Sequence, residues 1–369
     1  MAGGLAVALP TVHFIVQHRA DRSPGQRFRH EQYLVALRVA GFGIRYSPLL
    51  TAQQDRVLYQ RGHYLAKAGI QWASLAKRRA DVRAVKPGDI VFIYREALLT
   101  GSTRFERAFK QRGAKLVYDF DDAIWLPSTS KANRWLSFLK NPNKVGQIIG
   151  VCDLVLAGNS YLADYARQFN PAVEIVPTTI DTQEYSPGIE YPEKPVVTIG
   201  WSGSITTIEH FAHALPALEQ IKARYGNRVA ISVVGDGNYR HEGLGIVGKP
   251  WKKDTELADL RGMDIGIMPL PDDPWARGKC GLKGLQYMAL GIPTLMSPVG
   301  VNQTIVEDGV NGFLPDTTEQ WVERLSQLIE SRALREQVGR AGQATVEAQY
   351  SVNAWRERYV GLFKRLVAQ

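Results

Sequence analysis

Residues 278–293, "GKCGLKGLQYMALGIP", put three glycines and two lysines into seven residues and then continue as an apolar helical pattern. A helix start carries unpaired N–H groups and a partial positive charge, so Lys279, Gly281, Leu282 and Lys283 read as a cradle for an anion. Glycine lets a phosphate approach the main chain closely. The alternative for the same pattern is a capping turn with solvated lysines. Cys280 lies inside this elbow, but no Cys–His pairing in the sequence marks it as a nucleophile. Cys152, in "VCDLVLA", reads as a buried apolar residue.

Two further stretches carry chemistry. "YDFDDAIW" (118–125) ends a β-rich run with Asp119, Asp121 and Asp122. Clustered carboxylates hold divalent metals, orient or deprotonate a hydroxyl, or cap a turn and pair with local arginines. "HRADRSPGQRFRH" (18–30) gathers four arginines around a Ser-Pro-Gly turn. Arg27 and Arg29, near a helix start, are placed to clamp a phosphate of an acceptor such as a lipid-linked diphosphate sugar. "YREAL" (94–98) adds Arg95 and Glu96 after another strand. "AKRRADVRAVK" (76–86) is a basic run whose readings are a solvated face or a contact with anionic lipid headgroups.

These groups need a frame, and the pattern supplies one. Short β-rich runs alternate with longer helical ones: "VHFIVQ", a helix over 27–41 ended by Gly41, "IRYSPL", a helix across 55–80, "DIVFIYR", a helix stopped by Gly113, and "KLVYDFD". Such alternation predicts a doubly wound parallel sheet. "YSPGIEYPEKP" (185–195) has three prolines, one glycine and no periodicity, so it reads as a linker. The alternation then restarts with "VVTIGWSGS", a helix at 207–225, "VAISVVGDG", a helix at 254–262, "DIGIMPL", the elbow helix at 282–290 and "PTLMSP". Helices close the chain at 317–330, 331–348 and 352–367. The expected domains are 1–186, 187–350 and a closing segment 351–369.

The 369 residues carry 45 Lys+Arg against 36 Asp+Glu, a net charge of +9. Residues 1–186 hold 25 bases against 15 acids, and the remainder 20 against 21, so the first half alone is basic. A basic half implies an anionic partner. Scattered cations without aromatic stacking platforms argue against nucleic acid as that partner. Two distant cysteines exclude a disulfide framework and suit a reducing cytoplasm. No run of apolar residues is long enough to span a bilayer, and the start lacks the basic flank of a secretory leader.

The second half resembles the nucleotide-sugar-binding domain of family 4 glycosyltransferases. The likeness lies in "VVGDG" (233–237), "DIGIMPL" (264–270), "KCGLKGLQYMALGIPTLMSPVG" (279–300) and "IVEDGVNGFL" (305–314), with "YSVNAWRERYVGLF" (350–363) similar to the family's closing helices. It implies a GT-B fold, with two Rossmann-like domains facing a cleft, the last helix crossing back to the first. It also implies retaining transfer of a hexose from a nucleotide-diphosphate sugar without an obligatory metal or other cofactor. Donor contacts are then expected at Gly203, Ser204, Thr206, Gly235, Val247, Gly248, Lys279, Cys280, Gly281, Leu282, Lys283 and Gln286. The first domain would bind a glycan or lipid-linked acceptor through Arg27, Arg29, Arg95 and Glu96. Catalytic roles fall to Asp121, Asp122, Lys279 and Lys283.

The chain departs from that family in two ways. Two glutamates with seven residues between them are usual across the elbow; here those positions are Gly278 and Gln286. The amide of Gln286 can still meet ribose hydroxyls, and Asp272 or Asp273 is the remaining acid for the transferred sugar. An Arg and a Lys usually follow the first strand of this domain, where "GWSGSITTIEHF" (200–211) has no cation. The implied setting is polysaccharide or glycolipid assembly on the inner face of a membrane. The other reading is a catalytically degenerate nucleotide-sugar binder that serves another transferase.

Overall fold

The computed structural model describes residues 9–58, 60, 62–126, 141, 143–187 and 194–368. The chain divides into two compact units, one of residues 1–177 with 356–369, the other of residues 178–355. Part of the stretch read as a linker, 188–193, lies outside the described residues.

The first unit is built on six parallel strands: β1 (Thr11–Val16), β2 (Gly43–Pro48), β3 (Ile90–Tyr94), β4 (Lys115–Phe120), β5 (Leu154–Ala157) and β6 (Val173–Ile175), in the order β2-β1-β3-β4-β5-β6. β3 is buried along its whole length. A parallel sheet covered on both faces requires this, which is why "DIVFIY" is almost unbroken apolar sequence. The final helix, Val352–Ala368, contributes its later turns to this unit. Tyr359 stacks on Tyr33 with centroids 4.1 Å apart, and Phe363 packs against Phe92 and Phe42.

The helix expected over 27–41 is broken. One helix covers Pro24–Arg29 and another Leu34–Val39, with His30 between them at φ −139°. His30 is fully buried among the rings of Phe14, Phe92, Tyr46 and Tyr94. Burial and the adjacent Arg29 push its pKa down to about 3. The likewise expected helix across 55–80 is two helices, Ala52–Leu58 and Tyr64–Ala84.

The second unit holds β7 (Val197–Ser202), β8 (Val229–Gly235), the two-residue antiparallel pair β9 (Arg240–His241) and β10 (Ile246–Val247), β11 (Lys249–Pro250), β12 (Ile265–Met268) and β13 (Thr294–Met296). Its sheet is parallel, in the order β11-β8-β7-β12-β13. The core collects Ile199, Trp201, Phe211, Leu218, Ile267 and Leu325, all unexposed. The expected helix at 207–225 is again interrupted: Pro216 lies in the first turn of a helix that begins at Leu215. Proline lacks an N–H and is tolerated where no intrahelical partner would be needed.

An ion pair ties the first unit's entry helix to β4. Arg29 is 2% exposed and forks onto both oxygens of Asp119 while also donating to the Val176 carbonyl. Removing one partner leaves the other charge buried and unpaired. Asp119→Ala is therefore expected to cost about 3–5 kcal/mol of stability, read as a lower denaturant midpoint in equilibrium unfolding.

Candidate active site

The elbow follows the carboxyl end of β12, the edge of an open parallel sheet where ligands bind. After β12 a one-turn helix spans Pro274–Arg277, capped by Asp273, whose carboxylate accepts the Ala276 N–H at 2.7 Å. Asp272 is exposed and paired with Arg277 at 2.7 Å. Both acids thus have local structural tasks. Gly281 then adopts φ +71°, ψ 9°, and the helix Leu282–Ala289 begins. The left-handed backbone at Gly281 favours glycine, and a Cβ there would also press on the end of the Ile305 side chain at 2.3 Å. Main-chain bonding of this helix starts with the Leu285 N–H donating to the Gly281 carbonyl at 3.0 Å, which leaves the preceding turn as the positive end.

The two lysines stand on indole rings. Lys283 Nζ lies 5.0 Å from the Trp201 ring centroid and Lys279 Nζ 4.9 Å from that of Trp275. Such cation–π contacts contribute about 0.5–2 kcal/mol each and fix ammonium groups without neutralising them. His210, on the short helix Ile208–Phe211, is 5% exposed, and its Nδ1 has no hydrogen-bond partner among the described residues. Burial, then the charges of Lys283 and Lys279, lower its pKa to about 4. The site therefore gathers two cations, a helix N-terminus and a neutral imidazole. His210 was not singled out in the sequence; "IEHFAH" gives no sign that one of its two histidines turns toward the elbow.

Glycines shape the neighbouring loops. A Cβ at Gly235, where φ is +143°, would sit 2.3 Å from the Gly203 carbonyl oxygen, and one at Gly203 would sit 2.3 Å from the Trp201 ring. Ser204 and Thr207 form a capping box, and the Ser204 and Thr206 hydroxyls bond each other at 2.9 Å on the exposed surface. Val247 is 65% exposed and its strand pairs with β9. The Gly248 N–H already donates to the Tyr239 carbonyl at 2.9 Å, so that group is not available to a nucleotide base. Cys280 is buried with its thiol 3.8 Å from the Gly278 carbonyl.

Gln286 is 4% exposed and its amide donates to Tyr185 Oη and to Glu256 Oε1, both at 3.2 Å. Glu256, 6% exposed, also accepts from Tyr185 Oη at 2.7 Å and from Trp251 Nε1 at 3.0 Å. The indole N–H of Trp251 is thereby engaged by a carboxylate. Glu256 thus places a buried carboxylate beside Gln286, a neighbour that spacing alone could not reveal.

In the first unit the groups expected around an acceptor divide. Arg95, at φ +63°, reaches Asp121 Oδ1 at 2.7 Å and Asp122 Oδ2 at 2.8 Å, and Tyr94 Oη donates to Asp121 at 2.8 Å. Burial alone would raise the Asp121 pKa; the Arg95 guanidinium, followed by Arg29, outweighs it and holds the carboxyl below its ordinary value. A paired carboxylate held below its ordinary pKa is a poor proton acceptor, which leaves Asp121 better suited to orient a group than to deprotonate one. Glu96 is bound by Lys144 and by Gln17. Arg27 is 7% exposed, lies 5.0 Å over the Phe28 ring and pairs with Asp21, and Arg29 is consumed by Asp119. The expected phosphate clamp of Arg27 and Arg29 is therefore a buried structural pair of residues.

Residues 196–331 match the profile of the family described as Glycosyl transferases group 1. Among solved structures, sucrose-phosphate synthase from Thermosynechococcus elongatus aligns with a TM-score of 0.69 and 15% identity over 98% of this chain and 99% of its own. A glycosyltransferase from Rickettsia africae gives 0.66 and 13% identity over 98% and 99%. The chain has the GT-B fold. Anabaena HepE in complex with UDP-glucose gives a TM-score of 0.63 and 14% identity over 96% of this chain and 99% of that one. A search of curated proteins by sequence finds no match.

Two outcomes follow from this geometry. Gln286→Glu would set a second carboxylate against Glu256 in a buried network, so it is expected to destabilise the protein by about 1–3 kcal/mol, and Glu256→Gln in the same chain should restore most of the loss. Thermal unfolding of the two singles and the double variant measures the coupling. His210 has a folded pKa below its unfolded value, so the unfolded chain binds more protons between about pH 4 and 6.5. Its contribution to stability is thus lost as pH falls through that window. His210→Gln should show a shallower decline of melting temperature on acidification than the parent protein.

Proposed function

We propose that this chain is a glycosyltransferase that takes a hexosyl group from a nucleotide-diphosphate sugar. The observation that carries the reading is the elbow: a left-handed glycine, a helix N-terminus and two lysines poised on indoles at a sheet's carboxyl edge. Loss of a nucleoside diphosphate builds negative charge on its departing phosphate, and fixed positive groups that meet this charge lower the barrier. Lys279 and Lys283 take the place of the cation missing after β7. The family profile over 196–331 supports donor binding by this unit, and HepE, whose solved complexes hold UDP and UDP-glucose, makes uridine diphosphate the first ligand to test.

The resemblance of the elbow block extends the proposal to retention of anomeric configuration, to independence from metal and to an acceptor in polysaccharide or glycolipid assembly. Lysine charge at the diphosphate fits the second of these. No carboxylate of the first unit acts as base in this scheme, since Asp121 and Asp122 are tied to Arg95; the departing phosphate accepts the acceptor's proton.

A second reading keeps donor binding but not transfer. Gly278 offers no side chain to the transferred sugar and Gln286 is held by Glu256, as in a degenerate partner subunit. Thermal-shift titration with UDP, GDP, ADP, CMP and dTDP, with and without Mg²⁺, tests the shared step. One diphosphate should stabilise the protein regardless of metal. Lys279→Ala with Lys283→Ala should weaken it by roughly 3 kcal/mol, about two orders of magnitude in Kd. Consumption of the matching nucleotide sugar then separates a transferase from a binder.

A further inference from the structure

His210 occupies an unusual place for an imidazole. It lies on the short helix Ile208–Phe211, directly after the capping box of Ser204 and Thr207, and its side chain is almost fully covered. Phe211 beside it packs on Trp201, and Trp201 in turn carries the ammonium of Lys283. The helix that bears His210 is thus anchored to the same indole that fixes a cation of the elbow. The charged and titratable groups that act on the ring are Lys283 and Lys279 on the elbow, Asp273 ahead of it and His213 farther along the chain. Burial and the two lysines keep the imidazole neutral.

Buried polar side chains normally find a partner. His13, in the core of the first unit, is tied to Asp89 at 3.0 Å. Nδ1 of His210 is sealed from solvent and has no hydrogen-bond partner among the described residues. Buried N–H groups without acceptors are rarer in folded proteins than under-used lone pairs. The neutral ring therefore carries its hydrogen on Nε2, the nitrogen that is not sealed. This places a fixed N–H beside two ammonium groups and the start of the helix Leu282–Ala289. The segment 200–211 that supplies it contains no lysine or arginine.

We propose that His210 binds the nucleoside diphosphate by donating its Nε2–H to a phosphate oxygen held at the elbow. Its role rests on the donor-binding reading above, to which it adds a hydrogen-bond donor from the segment after β7. Neutrality suits the task. A third cation would be repelled by Lys279 and Lys283 while the site is empty, whereas a neutral N–H stands beside them without that repulsion. Hydrogen bonds to charged oxygens are stronger than those between neutral groups, so one donor has a measurable effect. The proton balance of transfer is left alone: the departing phosphate takes the acceptor's proton, and the imidazole keeps its own hydrogen throughout.

Titration calorimetry of the full chain is the test, with whichever of UDP, GDP, ADP and dTDP stabilises it most and with the glucose ester of that diphosphate. His210→Phe keeps an aromatic ring without the N–H and should weaken both ligands roughly tenfold or more at an unchanged melting temperature. His210→Gln, whose amide N–H reaches the place of Nε2–H, should recover most of that loss. The ratio of parent to His210→Phe affinity should stay constant between about pH 6 and about pH 8, because a neutral donor takes up no proton on binding. Equal affinity of the parent and His210→Phe overturns the proposal. A loss that His210→Gln fails to recover also overturns it, by reducing the side chain to packing. A ratio that rises in acid does the same, since His210 would then act as a cation. A parent protein that binds none of the diphosphates defeats the donor-binding reading together with this one. Diphosphate binding indifferent to position 210 defeats this one alone.

Discussion

Trp201 is the residue on which the carboxyl edge of the second unit's sheet depends. It is the penultimate residue of β7, has no exposed surface, packs against Phe211 with ring centroids 5.7 Å apart and leaves no room for a side chain at Gly203. The same ring supports the ammonium of Lys283. One indole therefore links the core, the close approach of two loop backbones and the position of a cation. The indole face attracts the ammonium and fixes its position at this edge. Beside it, His210 stays neutral because burial and two lysines oppose its protonation.

The first unit uses charge differently. Most of the arginines that make it basic near its strand ends are bound: Arg29 to Asp119, Arg78 to Asp81, Arg95 to Asp121 and Asp122. Each pair is held by further hydrogen bonds, Arg78 for instance to the carbonyls of Ala97, Ser47 and Val16. Buried charges survive only when paired and fully bonded. The surplus that gives this half its net charge is carried by residues such as Arg19, Arg79 and Arg83, which lie at the surface.

Glu256 and Gln286 form one buried corner. A helix outside the elbow provides the carboxylate that the Gln286 amide, Tyr185 and Trp251 share. With an amide at 286 the corner holds a single negative charge there; two buried carboxylates in contact could not both remain ionised.

The amino-acid sequence by itself determined the two wound sheets and most of their longer strands within a residue or two, because parallel strands buried on both faces need continuous apolar runs between helical periods; the two-residue strands β9, β10 and β11 carry no such run. It also determined the elbow, since glycine at a positive φ, lysine and an amphipathic helix start are local signals. Helix interruptions at His30 and around Pro216 were not legible as breaks: the apolar period runs through them, and the aromatic cage around His30 comes from three strands. The roles of Arg29, Glu256 and His210 were decided only by tertiary structure. An arginine beside a turn looks the same in sequence whether it faces water or a buried aspartate. The difference lies in the burial and partners that distant segments bring, and local spacing carries no record of them.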